Sequence, residues 1–225
     1  MTRYDRAATL PWYTQAAHAL SRHMLLKGLG TPFLIALFFG AYFYLLKYPT
    51  YEPTVMPTIW LDRLIGFAPN ALPLYLSLWV YVSLPPALLT TRRALYRYAV
   101  AMGATCLMGL LFFYFWPTAI PVADIDWRRY PDVHFLKNID AAGNAFPSLH
   151  VATAMFSGVW LHVLLRRFGG PHWILALNAL WGIGIMYSTI ATRQHVAVDV
   201  LGGLVLGGIA AWISLRATLK QRDPI

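Results

Sequence analysis

Six apolar runs of about twenty residues recur along the chain, at about 30–47, 71–90, 97–116, 149–165, 173–191 and 196–215. At 1.5 Å per residue, roughly 20 helical residues cross the roughly 30 Å hydrocarbon layer of a bilayer. Only closed backbone structures survive there, because lipid offers no partner to an unpaired N–H or C=O. The runs therefore predict an all-α integral membrane protein, a six-helix transmembrane bundle. Composition agrees, with 58% hydrophobic and 12% charged residues, against about 25% charged in soluble domains. A soluble domain of this length has too little interior to hide that much apolar surface.

The chain has no tandem repeat and no low-complexity tract. Residues 30–215 are expected to form one six-span domain, followed by a short cytoplasmic tail over 216–225. Residues 1–29 mix Trp12, Leu20, Met24 and Leu25 with polar side chains, which fits a helix lying in the membrane interface and equally a solvated tail. No short apolar core there ends in a small-residue cleavage site, so no removable signal peptide is expected. Pro85 and Pro86 in the second run predict a kink or an early end.

The +9 formal charge would suit a nucleic-acid binder if it formed a patch, but the basic residues are spread between apolar segments, and no nucleic-acid partner is expected. Their distribution sets orientation instead, because lysine and arginine accumulate on the cytoplasmic side. With six spans, Arg3, Arg6, Arg22, Lys27, Arg92, Arg93, Arg97, Arg166, Arg167, Arg216, Lys220 and Arg222 share one side, opposed only by Asp5 and Asp223. That side, with both termini, is predicted to be cytoplasmic. The long segment between Pro117 and Pro147 and the polar residues around His195 then lie on the periplasmic or luminal side. The single cysteine, Cys106, rules out an intrachain disulfide.

Two short constellations carry candidate chemistry. The first is Asn144-Ala145-Phe146-Pro147-Ser148-Leu149-His150, where the outer segment enters the fourth run. Proline suits the first helical turn, and free N–H groups at a helix start favour an anion. Ser148 can donate a further hydrogen bond and His150 can exchange a proton near neutral pH. Equally, Pro147 and Ser148 can simply begin the helix. The second is Ser188-Thr189-Ile190-Ala191-Thr192-Arg193-Gln194-His195-Val196-Ala197-Val198-Asp199. On a helix His195 and Asp199 share a face, so the carboxylate can reach the imidazole. Ionisable groups within a span are costly and point to function. Gly203, Gly207 and Ala211 continue that face with small residues, as Ala154 and Gly158 do below His150. Meeting strips would bring the histidines together.

These motifs resemble those of the type 2 phosphatidic acid phosphatase superfamily of membrane phosphatases and phosphotransferases, Pro-Ser-Gly-His and Ser-Arg-x5-His-x3-Asp. Here they read Pro147-Ser148-Leu149-His150 and Ser188-Thr189-x5-His195-x3-Asp199. The likeness runs from about Pro49 to Leu215 and includes Leu61-Asp62-Arg63-Leu64-Ile65. Leucine stands where the family usually has glycine, which is similar to the Phe-Pro-Ser-Leu-His motif of the branch containing inositol phosphorylceramide synthase. Threonine replaces the phosphate-binding arginine at 189. Arg193 would sit one turn along and supply the charge if the helix continued. The family's upstream Lys-x6-Arg-Pro motif is absent in that form. Arg128, Arg129 and Lys137 are candidates for its role or ordinary loop charges.

The resemblance implies a catalytic set of His195 as nucleophile, Asp199 as its orienting partner and His150 as the proton donor and acceptor. It places Ser148 and Leu149 at the phosphate, with Arg193, Arg128, Arg129 and Lys137 as candidates to join them, a lipid substrate drawn from the membrane, no cofactor and no metal. Hydrolysis and headgroup transfer differ only in the acceptor. Two rivals remain. Two histidines and a carboxylate can bind zinc or iron, and a transporter or non-catalytic scaffold can carry such residues as a proton relay. His134 is a weaker candidate for substrate contact, and Trp116, Trp127, Tyr130 and Phe135 can form an aromatic belt or cap the site. The oligomeric state is not legible.

Overall fold

The computed structural model describes residues 10–133 and 144–220. Its helices are α1 (Trp12–Ser21), α2 (Met24–Lys47), α3 (Trp60–Leu64), α4 (Leu72–Leu76), α5 (Leu78–Leu88), α6 (Arg92–Phe115), α7 (Leu149–Arg167), α8 (His172–Ala191) and α9 (Ala197–Lys220). Six helical stretches are long and apolar enough to cross a membrane: α2, Pro69–Leu88 (which contains α4 and α5), α6, α7, α8 and Ala197–Thr218 within α9. The all-α, six-span bundle expected from the apolar runs is what the chain forms. The first span starts earlier than its apolar run, at Met24, after a corner made by His23 in the left-handed region at φ 55°.

Burial ranks the spans. In α7, 56% of the span is buried, against 6% of α2, so α7 is the axis and α2 faces outward. Small residues decide what packs on that axis. A side chain at Gly203 would collide with the Ser148 carbonyl, and one at Gly207 with the Ala152 carbonyl, so α9 lies directly against the α7 backbone. Gly158 faces a different neighbour, the Tyr81 ring of α5. The two strips expected to meet therefore do not: α9 packs on Ser148, Val151 and Ala152, one side of α7, while Gly158 serves another.

Buried polar side chains tie the spans together, as they must where lipid offers no partner. Tyr81 donates to Asn178 Oδ1 at 2.8 Å, and Asn178 donates through Nδ2 to the Gly158 carbonyl at 3.0 Å, joining α5, α8 and α7. Trp160 Nε1 donates to Ser214 Oγ at 2.9 Å between α7 and α9. Trp181 Nε1 donates to Ser77 Oγ at 2.8 Å. Ser77 is also where the second span breaks, between α4 and α5, whereas Pro85 and Pro86 sit inside α5, which ends just after them at Leu88.

The two ends of the bundle differ. At one end α1 docks through Gln15 Nε2 on the Phe168 carbonyl, 3.2 Å, and Trp12 edge-on to Trp173. Lys27 Nζ there donates to the Ala19 and Ala87 carbonyls at 2.7 and 2.6 Å. At the other end the connecting segments form a small ladder that the helical reading did not include. Strand β1 (Thr54–Val55) pairs in parallel with β2 (Thr118–Ala119), and Thr118 bridges to Asn144. The Phe146 N–H donates to Thr118 Oγ1 at 2.7 Å, so the ladder fixes the chain just before α7.

Candidate active site

The site is built at this second end, where α7 and α9 begin and α8 stops. Ser148 is the N-cap of α7, and its hydroxyl accepts from the Val151 N–H at 3.2 Å. Such caps stabilise a helix by about 1 kcal/mol. Pro147 thus precedes the cap and does not occupy the first turn. The Ser148 N–H donates to the Asp199 carbonyl at 3.0 Å, which locks the start of α7 to the first turn of α9. Leu149, expected beside the phosphate, points elsewhere: its side chain is buried with Phe113 and Ala152 and fills the space left by Gly109 of α6.

The second motif is not one continuous helix. Helix α8 ends at Ala191 with Thr192 as its C-cap. Arg193 follows at φ 58°, its N–H donating to Ile190 O and that of Gln194 to Thr189 O, both at 3.0 Å. This is the paired closure of a Schellman turn, in which the left-handed position usually belongs to glycine. The His195 N–H also reaches Thr189 O, at 3.1 Å. Thr189 therefore contributes a carbonyl that anchors the His195 segment, and its hydroxyl is occupied at Met186 O. Arg193 is not one turn along from Thr189, because the helix has already ended.

His195 precedes α9, whose first residue is Ala197. Asp199, fully buried in the first turn, reaches back: Oδ2 accepts from the Val196 N–H at 3.0 Å and stands 3.5 Å from His195 Nδ1. The pair meets as expected, by a capping carboxylate and not by sharing a helical face. The contact is longer than a hydrogen bond, and catalytic pairs of this kind often tighten only when substrate arrives. His150 sits in the first turn of α7. Its ring stacks on that of Tyr75, with centroids 4.0 Å and planes 18° apart.

Among the described residues, the buried side-chain polar atoms without a hydrogen-bond partner are Asn144 Oδ1, His150 Nε2, His195 Nδ1 and Asp199 Oδ1. Buried polar groups are otherwise paired almost without exception, so this gathering on the two histidines and the aspartate separates them from packing residues. No group of three or more His, Cys, Asp or Glu side chains among the described residues is disposed to hold a metal ion.

In front of His195 opens a cleft of about 470 Å³. Its polar wall includes Asp62, Arg63, Arg193 and His195, and its apolar wall includes Phe67 and Ile120. Arg193 is held there by a hydrogen bond from its guanidinium to the Asp62 carbonyl, 3.1 Å. Arg128 and Arg129 are exposed on the turn Trp127–Arg129 and do not line the cleft. Arg129 pairs with Asp126 at 3.2 Å. Lys137, His134 and Phe135 lie outside the described residues.

Two residues of this wall escaped the sequence reading of the site. Asp62 and Arg63 enter that reading only together, within the resembling stretch Leu61-Asp62-Arg63-Leu64-Ile65. The available signal was an acid–base pair interrupting the apolar stretch Ile59-Trp60-Leu61 and Leu64-Ile65.

A family model described as the PAP2 superfamily matches residues 90–223, more than half of the chain and both motifs. No curated protein and no solved structure matches.

Proposed function

Because the chain belongs to the PAP2 superfamily, we propose that it is a membrane phosphatase or phosphotransferase acting on a lipid phosphate, lipid pyrophosphate or phospholipid headgroup through a phosphohistidine on His195. The observation that carries this reading is His195 on the cleft wall, backed by Asp199 at 3.5 Å and flanked by Arg193 and Arg63.

With Nδ1 turned to Asp199, the proton rests on that nitrogen and the Nε2 lone pair is free to attack. A phosphorus–nitrogen bond forms to His195 as the ester phosphorus–oxygen bond breaks, and His150 gives its proton to the leaving oxygen. His150, now neutral, takes a proton from water or from a lipid alcohol, whose oxygen displaces His195. Water makes the protein a hydrolase and the alcohol makes it a headgroup transferase. Arg193 and Arg63 stabilise the charged equatorial oxygens, the task that dominates phosphoryl transfer. Leu149, by its packing against Gly109, belongs to the helix interface and leaves the choice between acceptors to the lipid.

The cationic end of the bundle, with Arg92, Arg93, Arg166 and Arg167, faces the cytoplasm in this reading, and the cleft opens at the periplasmic or luminal surface. A substrate enters sideways from the outer leaflet. The test is an assay of the purified protein on a lipid extract in mixed micelles, following phosphate release and headgroup transfer together. Turnover that survives strong chelation and stops with vanadate is expected. Loss of turnover with the chelator, restored by a metal ion, would contradict the metal-free mechanism. A scaffold or transporter shows no turnover of either kind.

A further inference from the structure

We infer that Asp62 is a positioning residue that clamps the His195 segment from both sides, an inference that rests on the reading of His195 as nucleophile. Asp62 lies upstream of the region the family model covers, on α3, and is only 3% exposed. Its carboxylate accepts two backbone N–H groups, Ile59 through Oδ2 and Ala197 through Oδ1, both at 2.7 Å. Its carbonyl accepts the Arg193 guanidinium at 3.1 Å. Arg193 is two residues before His195 and Ala197 two residues after. One residue, more than 130 positions away, thus holds both shoulders of the nucleophile.

The clamp has a chemical reason. His195 lies in the non-helical link between the end of α8 and the start of α9, where its own N–H bond to Thr189 O ties it to α8 alone. Its ring must nevertheless stay against Asp199 while Arg193 stays in the cleft. Short hydrogen bonds to an ionised carboxylate are about twice as strong as neutral ones, and the first amide of α9 presents the positive end of a helix to that charge. Asp62 and Asp199 together occupy the N–H groups of Ala197 and Val196. Two amides at the start of α9 are therefore held by carboxylates that belong to the protein itself.

The carboxylate and the carbonyl of Asp62 do separable work, which makes the role testable. Asp62→Asn keeps the carbonyl that holds Arg193, yet turns an N–H donor toward one of the two amides. In the lipid-extract assay kcat is expected to fall tenfold or more, with the half-saturating lipid concentration unchanged within twofold. A wild-type kcat in Asp62→Asn beside an inactive His195→Ala overturns the clamp alone. Wild-type turnover in His195→Ala overturns the reading of the site, and the clamp with it. If Asp62→Asn does not fold, amide exchange of the wild-type protein decides: slow exchange at Ala197, matching the interior of α9, is expected. Exchange there as fast as in the exposed outer segments overturns the proposal.

Discussion

Arg193 shows in one residue how stability yields to chemistry. It holds the left-handed position of a Schellman turn at φ 58°, where a side chain costs roughly 1–2 kcal/mol relative to glycine. Such strain persists at functional sites, and here the residue also places a cation in the cleft. Arg193→Gly is accordingly expected to raise the thermal midpoint in detergent, or leave it unchanged, while raising the half-saturating lipid concentration about tenfold or more. A glycine variant that binds lipid as well as wild type would remove Arg193 from phosphate binding. At His195 and Asp199 the expected losses fall on turnover. Asp199→Asn should lose on the order of 10²-fold or more in kcat, because the tautomer of the ring is no longer set, and His195→Ala should lose more. Tyr75 supports the other histidine through its ring. Steady-state kinetics should show Tyr75→Leu about tenfold slower than Tyr75→Phe, and equal rates for both would show that stacking does not matter.

At the scale of the element, the packing of α9 on α7 decides whether the two motifs meet. Gly203 and Gly207 bring α9 against the Ser148 and Ala152 carbonyls, and the Ser148 N–H is bonded to Asp199 O. Gly207→Leu should therefore force the helices apart, lowering the thermal midpoint and abolishing turnover together, with a cost of about 1–3 kcal/mol or more. Gly103→Ala on α6 meets open space and should leave the midpoint unchanged or raise it slightly in the same unfolding assay, since a mid-helix glycine gives way to alanine.

The same elements mark where sequence reasoning stopped. Long apolar runs announce spans whatever their partners, so the six helices were legible. The small-residue strip on α9 was legible too, but its partner was not: spacing shows that Gly158 is small and cannot show that Tyr81 fills the gap. The end of α8 was hidden because arginine occupies the turn position that glycine would have advertised. The pairing of Thr54–Val55 with Thr118–Ala119 is too short to leave a periodic pattern. Asp62 could be seen as an acid in an apolar stretch, whereas its partners are backbone groups, which carry no sequence signature.

For the whole molecule, the account requires that the cleft and the docked α1 lie on opposite sides of the membrane. Val122, 99% exposed at the cleft, should be labelled as Val122→Cys by an impermeant maleimide in intact cells or spheroplasts carrying the Cys106→Ser background. Arg167→Cys, at the far end of α7, should be labelled only after permeabilisation. The reverse pattern would invert the orientation and put the chemistry in the cytoplasm. The central claim is narrower than orientation: a phosphoryl group rests on His195 during turnover. Wild-type protein turning over a radiolabelled lipid extract and quenched in alkali should carry a protein-bound label that acid releases, as phosphohistidine does. His195→Ala should carry none. Label retained by His195→Ala, or wild-type turnover from it, would contradict the account.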